Sequence, residues 1–180
     1  MRFIGPSTAV AVALIYSAPA LGQNQDINPS VDPVERAKAV MQDRDGRTIG
    51  TVLLEETPHG TLLDISLHGV PAGAHAIHIH EVGECAAPFA SAGGHLNPRG
   101  AKHGFRTVKG PHLGDLPNLH VPDSGVLHVE YFHPWLIFGD EFFDADGAAM
   151  IIHQGADDYR TDPAGAAGPR IACGVIKPQK

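Results

Sequence analysis

The chain has 180 residues, 43% of them hydrophobic, which is enough for one hydrophobic core and requires no second domain. Its formal net charge is -7, because 13 lysine and arginine residues face 20 aspartate and glutamate residues. This acidic balance argues against nucleic acid or an anionic membrane surface as a partner.

The first 22 residues have the organisation of a signal peptide. Arg2 provides a positive start, Ala9–Ala18 is an apolar run, and Ala20-Leu21-Gly22 provides a cleavage site with small residues. The apolar run is too short for a membrane span, which needs roughly 20 apolar residues. We therefore expect an exported protein, periplasmic or secreted, without a membrane-spanning segment.

The mature chain is predicted to begin with a flexible polar arm, residues 23–36, followed by one domain, residues 37–178. Its two cysteines are Cys85 and Cys173. In an oxidising compartment an even number of cysteines favours a disulfide, here one that closes a long loop. Two buried free thiols are the alternative.

Strand patterns alternate with tight turns along this domain. In Thr61–Leu67, for example, Leu63, Ile65 and Leu67 share one face, which is the period of a half-buried strand. Such signals predict six strands: Ala37–Gln42, Ile49–Glu56, Thr61–Leu67, Gly125–Phe132, Ala148–His153 and Ile171–Ile176. With no helical period between them, they predict an all-β antiparallel sandwich or barrel. The two long irregular segments are predicted to be functional loops: Glu81–Pro122 and Gln154–Pro169.

Half of the twelve histidines lie in one stretch, Ala74–Asp115. Histidine is the commonest metal ligand among side chains, and the carboxylate of Asp115 also suits zinc. A solvated surface gives no reason to concentrate histidine in this way. The stretch therefore predicts a metal site.

The spacing of these residues predicts two sets of ligands. His78 and His80 lie two apart in an extended run, so both rings project from the same face of a strand. A set of three histidines and one carboxylate can close a tetrahedral zinc shell: His95, His103, His112 and Asp115. A second set offers nitrogen ligands alone, which suits Cu(II) in a tetragonal array: His78, His80, His95 and His153. His95 would then serve both ions.

In their order along the chain, these residues resemble the bacterial, exported copper/zinc superoxide dismutases. The resemblance extends from about Ala37 to Ile176, through His75–Glu81, Ala92–Pro98, His112–Asn118, Ile152-His153, Asp157-Asp158 and Arg170–Ile176. It implies a Greek-key β-sandwich or barrel, immunoglobulin-like in architecture, with one copper and one zinc ion per subunit. It also implies that Cys85 pairs with Cys173.

The resemblance implies a role for each site residue. The all-nitrogen set would hold copper and the three-histidine, one-aspartate set would hold zinc, with His95 bridging the two ions as an imidazolate. Arg170 matches the arginine that docks the anionic substrate. Asp157 matches the aspartate that hydrogen-bonds one copper-side and one zinc-side histidine, here His78 and His103, and so fixes their ring orientation.

The implied activity is the dismutation of superoxide to dioxygen and hydrogen peroxide, by alternate reduction and reoxidation of copper. A zinc shell filled by protein ligands leaves no position for a hydrolytic water, which argues against a zinc hydrolase. The alternative is an exported copper/zinc-binding protein for metal buffering or delivery, which would not need Arg170 or a bridging imidazolate. Superoxide is the predicted partner, and a homodimer remains open.

Some positions depart from the family pattern. Before Arg170, the usual asparagine is Ala166 and a usual polar residue is Ala164. The paired guidance charges of the eukaryotic enzymes have no clear match, so the strength of electrostatic steering stays open. The remaining histidines are predicted to be packing, turn or surface residues: His59, His68, His75, His120, His128 and His133.

Overall fold

The computed structural model describes Met1, residues 35–139 and residues 142–179. The predicted signal peptide after Met1 and the predicted arm up to residue 34 lie outside the described residues. The described residues form nine strands: β1 Arg36–Asp43, β2 Thr48–Thr57, β3 Gly60–His68, β4 Gly73–His75, β5 Ile77–His80, β6 Leu119–Val121, β7 Val126–His133, β8 Ala149–His153 and β9 Arg170–Gln179. Within the described ranges the one helix is a 3₁₀ turn, Ala90–Ala92, and no helix there is long and apolar enough to cross a membrane.

Seven strands form one curled antiparallel sheet in the order β5-β8-β9-β1-β2-β3-β7, and β4 pairs with β6 in a small second sheet. β3 pairs with β7 although three other strands lie between them in the sequence. Between them β5 joins the opposite edge of the same sheet, so β7 returns by a long connection to lie beside β3, which is the type of connection found in a Greek key. The predicted all-β antiparallel architecture is confirmed.

Strand alternation builds the core. On β1 the inward residues Ala37, Ala39 and Met41 are fully buried, and Ala39 lies opposite Val52 of β2. β8 is buried at all of its positions because both of its faces are covered. Its even-numbered residues pack into the main core, and the odd-numbered Ala149 and Ile151 pack against Phe89 and Ala92 of the loop that follows β5.

The six predicted strands are all present, with ends displaced by one residue at most except for β9, which continues to Gln179. The first strand also begins at Arg36, one residue before the predicted domain boundary. β4 and β6 were not predicted, and β6 lies inside the segment Glu81–Pro122 that was expected to be irregular. Three residues are too few to establish a period of two, so these strands exist through their mutual pairing.

Candidate metal centre

β5 supports the site because it is an edge strand of the large sheet. One edge of β5 pairs with β8, and the other is occupied by two pieces of the long loop. Ile79 accepts a backbone hydrogen bond from Leu96 and donates one to Gly114, both at 2.9 Å. A Cβ on Gly114 would collide with the carbonyl oxygen of Ile79, so this close approach requires glycine.

This pairing brings distant ligands together. His80 lies opposite His95, and His78 lies opposite Asp115, across the outer edge of β5. On the inner edge, the backbone N–H of His153 at the end of β8 donates to Ala76, just before β5. Residues separated by up to 77 positions in the sequence, Ala76 and His153, are therefore adjacent in space.

Four buried histidines direct one ring nitrogen each towards a common centre. One ligand atom from each lies within 4.8 Å of the others: His78, His80, His95 and His153. Nδ1 of His78 and Nε2 of the other three have no hydrogen-bond partner, and they are the only buried side-chain N or O atoms among the described residues in that condition. An unsatisfied buried polar atom costs about 1–3 kcal/mol, so four together favour a shared partner such as a metal ion.

The opposite ring nitrogens determine the tautomer of two of these rings. Nδ1 of His80 donates to the carbonyl oxygen of Gly93, and Nδ1 of His153 donates to the carbonyl oxygen of Gly168, each at 3.0 Å. Since a carbonyl oxygen can only accept, the ring proton lies on Nδ1. The lone pair of Nε2 therefore faces the centre, as a metal ligand requires.

Burial also keeps these rings neutral. Loss of solvation lowers the pKa of His78 to about 4, that of His80 to about 2 and that of His153 to about 4. For His80 and His153, electrostatic repulsion from His95 and Arg170 lowers the pKa further. At neutral pH the three side chains are therefore in the form that binds a metal.

The other nitrogen of His95 belongs to a second group. Nδ1 of His95 lies 2.8 Å from Oδ1 of Asp115, and Nδ1 of His103 lies 3.0 Å from the same oxygen. Nδ1 of His112 lies 3.4 Å from that oxygen and 3.4 Å from Nδ1 of His95. Ligands about 2.0 Å from a tetrahedral zinc ion are separated by roughly 3.3 Å. The four distances between these atoms, from 2.8 to 3.4 Å, are close to that value.

His78 competes with His112 for membership of this second group. The ligand atoms that all lie within 4.8 Å of one another belong to His78, His95, His103 and Asp115, and His112 is not in that group. However, Nε2 of His78 is engaged by Asp157, and its Nδ1 is one of the four unpaired nitrogens of the first group. His112 therefore fits the second group better.

His103 lies between two carboxylates. Its Nδ1 is 3.0 Å from Oδ1 of Asp115 and its Nε2 is 2.9 Å from Oδ1 of Asp157. Burial would lower the pKa of His103, but these two hydrogen bonds outweigh burial and raise it to about 9. Burial would likewise raise the pKa of Asp115, but hydrogen bonds from His103 and His95 hold it well below its usual range. Without metal, His103 therefore carries both ring protons, and a metal ion at Nδ1 must displace one.

Asp157 makes both contacts that the sequence predicted. Its buried carboxylate accepts from Nε2 of His78 at 3.0 Å and from Nε2 of His103 at 2.9 Å. Gly165, at φ +64, leaves room for it, because a Cβ there would collide with the carboxylate. Sequence reasoning missed Asn118, whose side chain binds the backbone of Asp157 on both the N–H and the C=O. Asn118 ends one of the recognised motifs, but an asparagine before a strand does not reveal its partner.

Arg170 begins β9 beside the first group of histidines. Its Nη1 donates to the carbonyl oxygen of Phe89 at 2.5 Å and its Nη2 donates to that of Gly93 at 2.6 Å. The same Gly93 oxygen accepts the proton on Nδ1 of His80. Burial lowers the pKa of Arg170, and no carboxylate opposes that shift, but a guanidinium stays charged in proteins. The guanidinium group of Arg170 is thus a positive charge beside the first group of histidines, held in place by two neutral carbonyl oxygens.

A disulfide ties β9 to the loop that holds the guanidinium group of Arg170. Cys85 and Cys173 are bonded across a sequence separation of 88 residues, as predicted. Cys173 lies on β9 three residues after Arg170, and Cys85 lies in the loop that presents Phe89 and Gly93. The bond therefore joins the arginine segment to the loop whose carbonyl oxygens orient the arginine.

The other six histidines lie outside both groups. Four are exposed: His59, His68, His120 and His128. This agrees with the turn or surface role expected of the first three, whereas His128 was expected to pack on a strand face or at an interface. His133 is buried with Nε2 2.9 Å from the carbonyl oxygen of Leu113. His75 is buried with its ring nitrogens within 3.0 Å of the carbonyl oxygens of His153 and Pro71. Both buried rings are held by backbone acceptors, which is a packing role.

Known proteins share this sequence and fold. Residues 48–176 match the family model of copper/zinc superoxide dismutase (SODC). Over 148 residues the chain is 45% identical to the Cu-Zn superoxide dismutase 2 of Aquifex aeolicus, covering 79% of this chain and 86% of that protein. It is 39% identical over 148 residues to the Cu-Zn superoxide dismutase of Caulobacter vibrioides, covering 78% and 85%.

Two solved structures extend the likeness to the backbone. A SOD-like protein from Bacillus subtilis superposes with a TM-score of 0.71 at 38% identity, covering 76% of this chain and 95% of that one. The Cu/Zn superoxide dismutase from Brucella abortus superposes with a TM-score of 0.69 at 29% identity, covering 79% of this chain and 100% of that one.

Proposed function

The chain belongs to the copper/zinc superoxide dismutase family, and we propose on this basis that its two histidine groups form one copper site and one zinc site. The protein is an oxidoreductase that uses copper and zinc to convert superoxide into dioxygen and hydrogen peroxide. The proposed copper ligands are His78, His80, His95 and His153. The proposed zinc ligands are His95, His103, His112 and Asp115, with one ion of each kind per subunit.

The observation that supports the copper assignment most strongly is the set of four unpaired, buried ring nitrogens. Neutral imidazole nitrogens are good ligands for copper, and here hydrogen bonds on the opposite side of the rings fix the tautomer. The zinc assignment is supported by the spacing of the second group and by its carboxylate. His95 connects the two groups because its Nε2 faces the first and its Nδ1 faces the second.

Bound copper supplies one-electron redox chemistry, so that two superoxide anions and two protons give one dioxygen and one hydrogen peroxide. Arg170 binds and orients the anion with the N–H groups that Phe89 and Gly93 do not use. His95 holds and returns a proton at Nε2, while its Nδ1 stays on the zinc side. The neighbouring rings of His80 and His153 remain neutral and keep their orientation through Nδ1.

The alternative is a metal-buffering or metal-delivery protein with little turnover. A carrier needs ligands, but it does not need a buried guanidinium beside them. Arg170 is partly buried and has no carboxylate partner among the described residues, which is costly for a residue that serves only packing. This feature favours an enzyme whose substrate is an anion.

Metal analysis and an activity assay on the purified protein test the assignment. We expect one copper and one zinc per chain, with His153→Ala losing copper and dismutation but keeping zinc. Asp115→Ala should lower the affinity for zinc instead. His120→Ala is the matched control, because His120 is exposed and outside both groups. Two equivalents of zinc with no affinity for copper would overturn the assignment.

We further propose that the protein is exported, to the periplasm or beyond it, after cleavage of residues 1–22. The apolar run Ala9–Ala18 supports the proposal, and the disulfide suits an oxidising compartment. Cell fractionation followed by N-terminal sequencing should find mature protein that starts near Gln23. Intact protein in the cytoplasm, still starting at Met1, would contradict export.

We also propose that the protein forms a homodimer through Phe132, Trp135 and Ile137, which lie within six residues of sequence and are 50%, 56% and 51% exposed. Large exposed apolar side chains mark a protein interface where they form one continuous surface. Trp135→Ser should shift a dimer to monomer in sedimentation equilibrium, whereas Phe105→Ser, at another exposed aromatic residue, should not. A monomeric wild-type protein at micromolar concentration would exclude this interface.

A further inference from the structure

Asn118 is a buried hydrogen-bond hub next to the metal centre. It is 8% exposed and lies three residues after Asp115, just before β6. Its Oδ1 accepts from the backbone N–H of Asp157 at 2.8 Å, and its Nδ2 donates to the backbone carbonyl oxygen of Asp157 at 2.9 Å. Its own N–H donates to the hydroxyl oxygen of Tyr159 at 2.8 Å, and its own carbonyl oxygen accepts from the hydroxyl of Tyr131 at 2.8 Å.

Only a carboxamide can grip Asp157 in this way. A peptide group presents one donor and one acceptor, and the amide of Asn118 offers the matching acceptor and donor. A carboxylate would offer two acceptors and would set an oxygen against the carbonyl oxygen of Asp157. An apolar side chain would leave both groups of Asp157 buried without a partner, which is costly.

Asp157, like His95, connects the two histidine groups. The carboxylate of Asp157 holds Nε2 of His78 with Oδ2 and Nε2 of His103 with Oδ1. A shift of its backbone would move both oxygens together, because the side chain of aspartate is short. The orientation of both rings therefore depends on where the backbone of Asp157 lies.

We propose that Asn118 is a positioning residue for the dismutation reaction. It holds Asp157 so that the rings of His78 and His103 keep their metal-binding orientation, and it links the zinc loop to the copper side by a route separate from His95. This proposal rests on the proposed assignment of His78 to copper and of His103 to zinc. The two tyrosine hydroxyls hold Asn118 in turn.

The chain contains a matched control for this role. Asn97, in the same loop, grips the backbone of Ala101 in the same manner: its Oδ1 accepts at 2.9 Å and its Nδ2 donates at 3.0 Å. The side chain of Ala101 is a methyl group, which cannot hydrogen-bond a metal-ligating histidine. Asn97→Asp and Asn118→Asp therefore make the same chemical change to the same pair of side-chain-to-backbone hydrogen bonds. They differ in the residue whose backbone is bound: for Asn118 it is Asp157, which contacts the histidines, and for Asn97 it is Ala101.

The experiment compares both variants with wild type after loading with copper and zinc. The readouts are the EPR spectrum of Cu(II), zinc affinity by chelator competition, and the rate of dismutation. Loss of a residue that orients metal ligands costs about 10–100-fold in metal affinity or activity. Asn118 acts on the histidines only through Asp157, so we expect Asn118→Asp to weaken zinc binding by the lower value, about tenfold. We also expect it to change the copper EPR parameters, and Asn97→Asp to change neither.

A double-mutant cycle with Asp157→Asn separates positioning from general stability. If Asn118 acts through Asp157, then Asn118→Asp should add little to the effect of Asp157→Asn. Additive effects, or wild-type EPR and zinc affinity in Asn118→Asp, would overturn the proposal. Should Asn118→Asp fail to fold, Tyr159→Phe removes a single support of Asn118 and should change the EPR spectrum in the same direction, while an unchanged spectrum refutes the proposal. A wild-type protein that binds neither metal would instead refute the metal assignment itself.

Discussion

Arg170 allows the sharpest test of how this acidic protein attracts an anion. The net charge of -7 repels superoxide, so productive encounter depends on positive charge close to the proposed copper site. Two N–H groups of the guanidinium are engaged by Phe89 and Gly93, which fixes the plane of the fork and leaves its remaining donors for substrate. A charge-assisted hydrogen bond is worth about 1.5–3 kcal/mol, and the charge of the metal remains when Arg170 is removed. We therefore expect Arg170→Ala to lower kcat/KM by about tenfold, or about 1.4 kcal/mol.

Two further substitutions show which property of Arg170 matters. Arg170→Lys keeps the charge but cannot reach both carbonyl oxygens, so we expect an intermediate rate with a salt dependence close to that of wild type. Arg36→Ala removes the same charge at the opposite end of β9, where Arg36 lies opposite Gln179. Nine residues of strand separate the two ends by roughly 30 Å. This is several times the Debye length of about 8 Å, so the control should retain the wild-type rate.

Pulse radiolysis at several ionic strengths measures the second-order rate constant for each variant after its metal content has been verified. Salt should slow wild type more than Arg170→Ala, because screening weakens an attraction that the variant has already lost. A fully metallated Arg170→Ala enzyme with the rate and salt dependence of wild type would refute the docking role. An equal loss of rate in Arg36→Ala would show that net charge, rather than position, controls encounter.

Three more outcomes follow from the structure. Reducing the disulfide between Cys85 and Cys173, which closes 88 residues, should lower the free energy of unfolding by about 4–5 kcal/mol in denaturant titrations, and equal midpoints with and without reductant would contradict this. Ala166 is exposed and has a φ of +53, so Ala166→Gly should relieve about 1 kcal/mol of backbone strain and raise Tm by about 2–4 °C. Ala156→Gly is the control, because Ala156 lies in the same loop without a positive φ, and it should not raise Tm. In the metal-free protein, burial holds the pKa of His78 at about 4, below its unfolded value of about 6.5. The unfolded chain therefore binds protons first, and stability should fall as pH decreases from about 6.5 towards 4; a flat profile by calorimetry would refute the neutral, buried state.

The strands could be predicted because alternation is a local property. From Leu63 to Leu67 every second residue is apolar, and a chain with that period buries one face whichever partner it meets. The types of metal ligand were also readable, since imidazole and carboxylate chemistry belongs to the residue itself. The His-x-His spacing of His78 and His80 is of the same kind, because covalent geometry sets the side of the strand from which each ring projects.

Which ring nitrogen faces a metal depended on partners that lie far away in the sequence. Nε2 of His78 is hydrogen-bonded to Asp157, 79 residues later, so its Nδ1 faces the centre. In His80 and His153 it is Nδ1 that is hydrogen-bonded and Nε2 that faces the centre. The acceptors for those two rings are the backbone carbonyl oxygens of Gly93 and Gly168, and every residue has a carbonyl oxygen. No pattern of residue types could single out these acceptors.

Asn118 illustrates the same limit for a side chain. Its residue type is ordinary before a strand, and its importance comes from the backbone of Asp157, 39 residues away. The order and chemistry of the proposed ligands, the six longer strands and the cysteine pair could thus be read from the sequence itself. The tautomers, the shared Gly93 oxygen and the grip on Asp157 were decided only by the tertiary structure, because a hydrogen bond depends on a distance of about 3 Å that local sequence cannot specify.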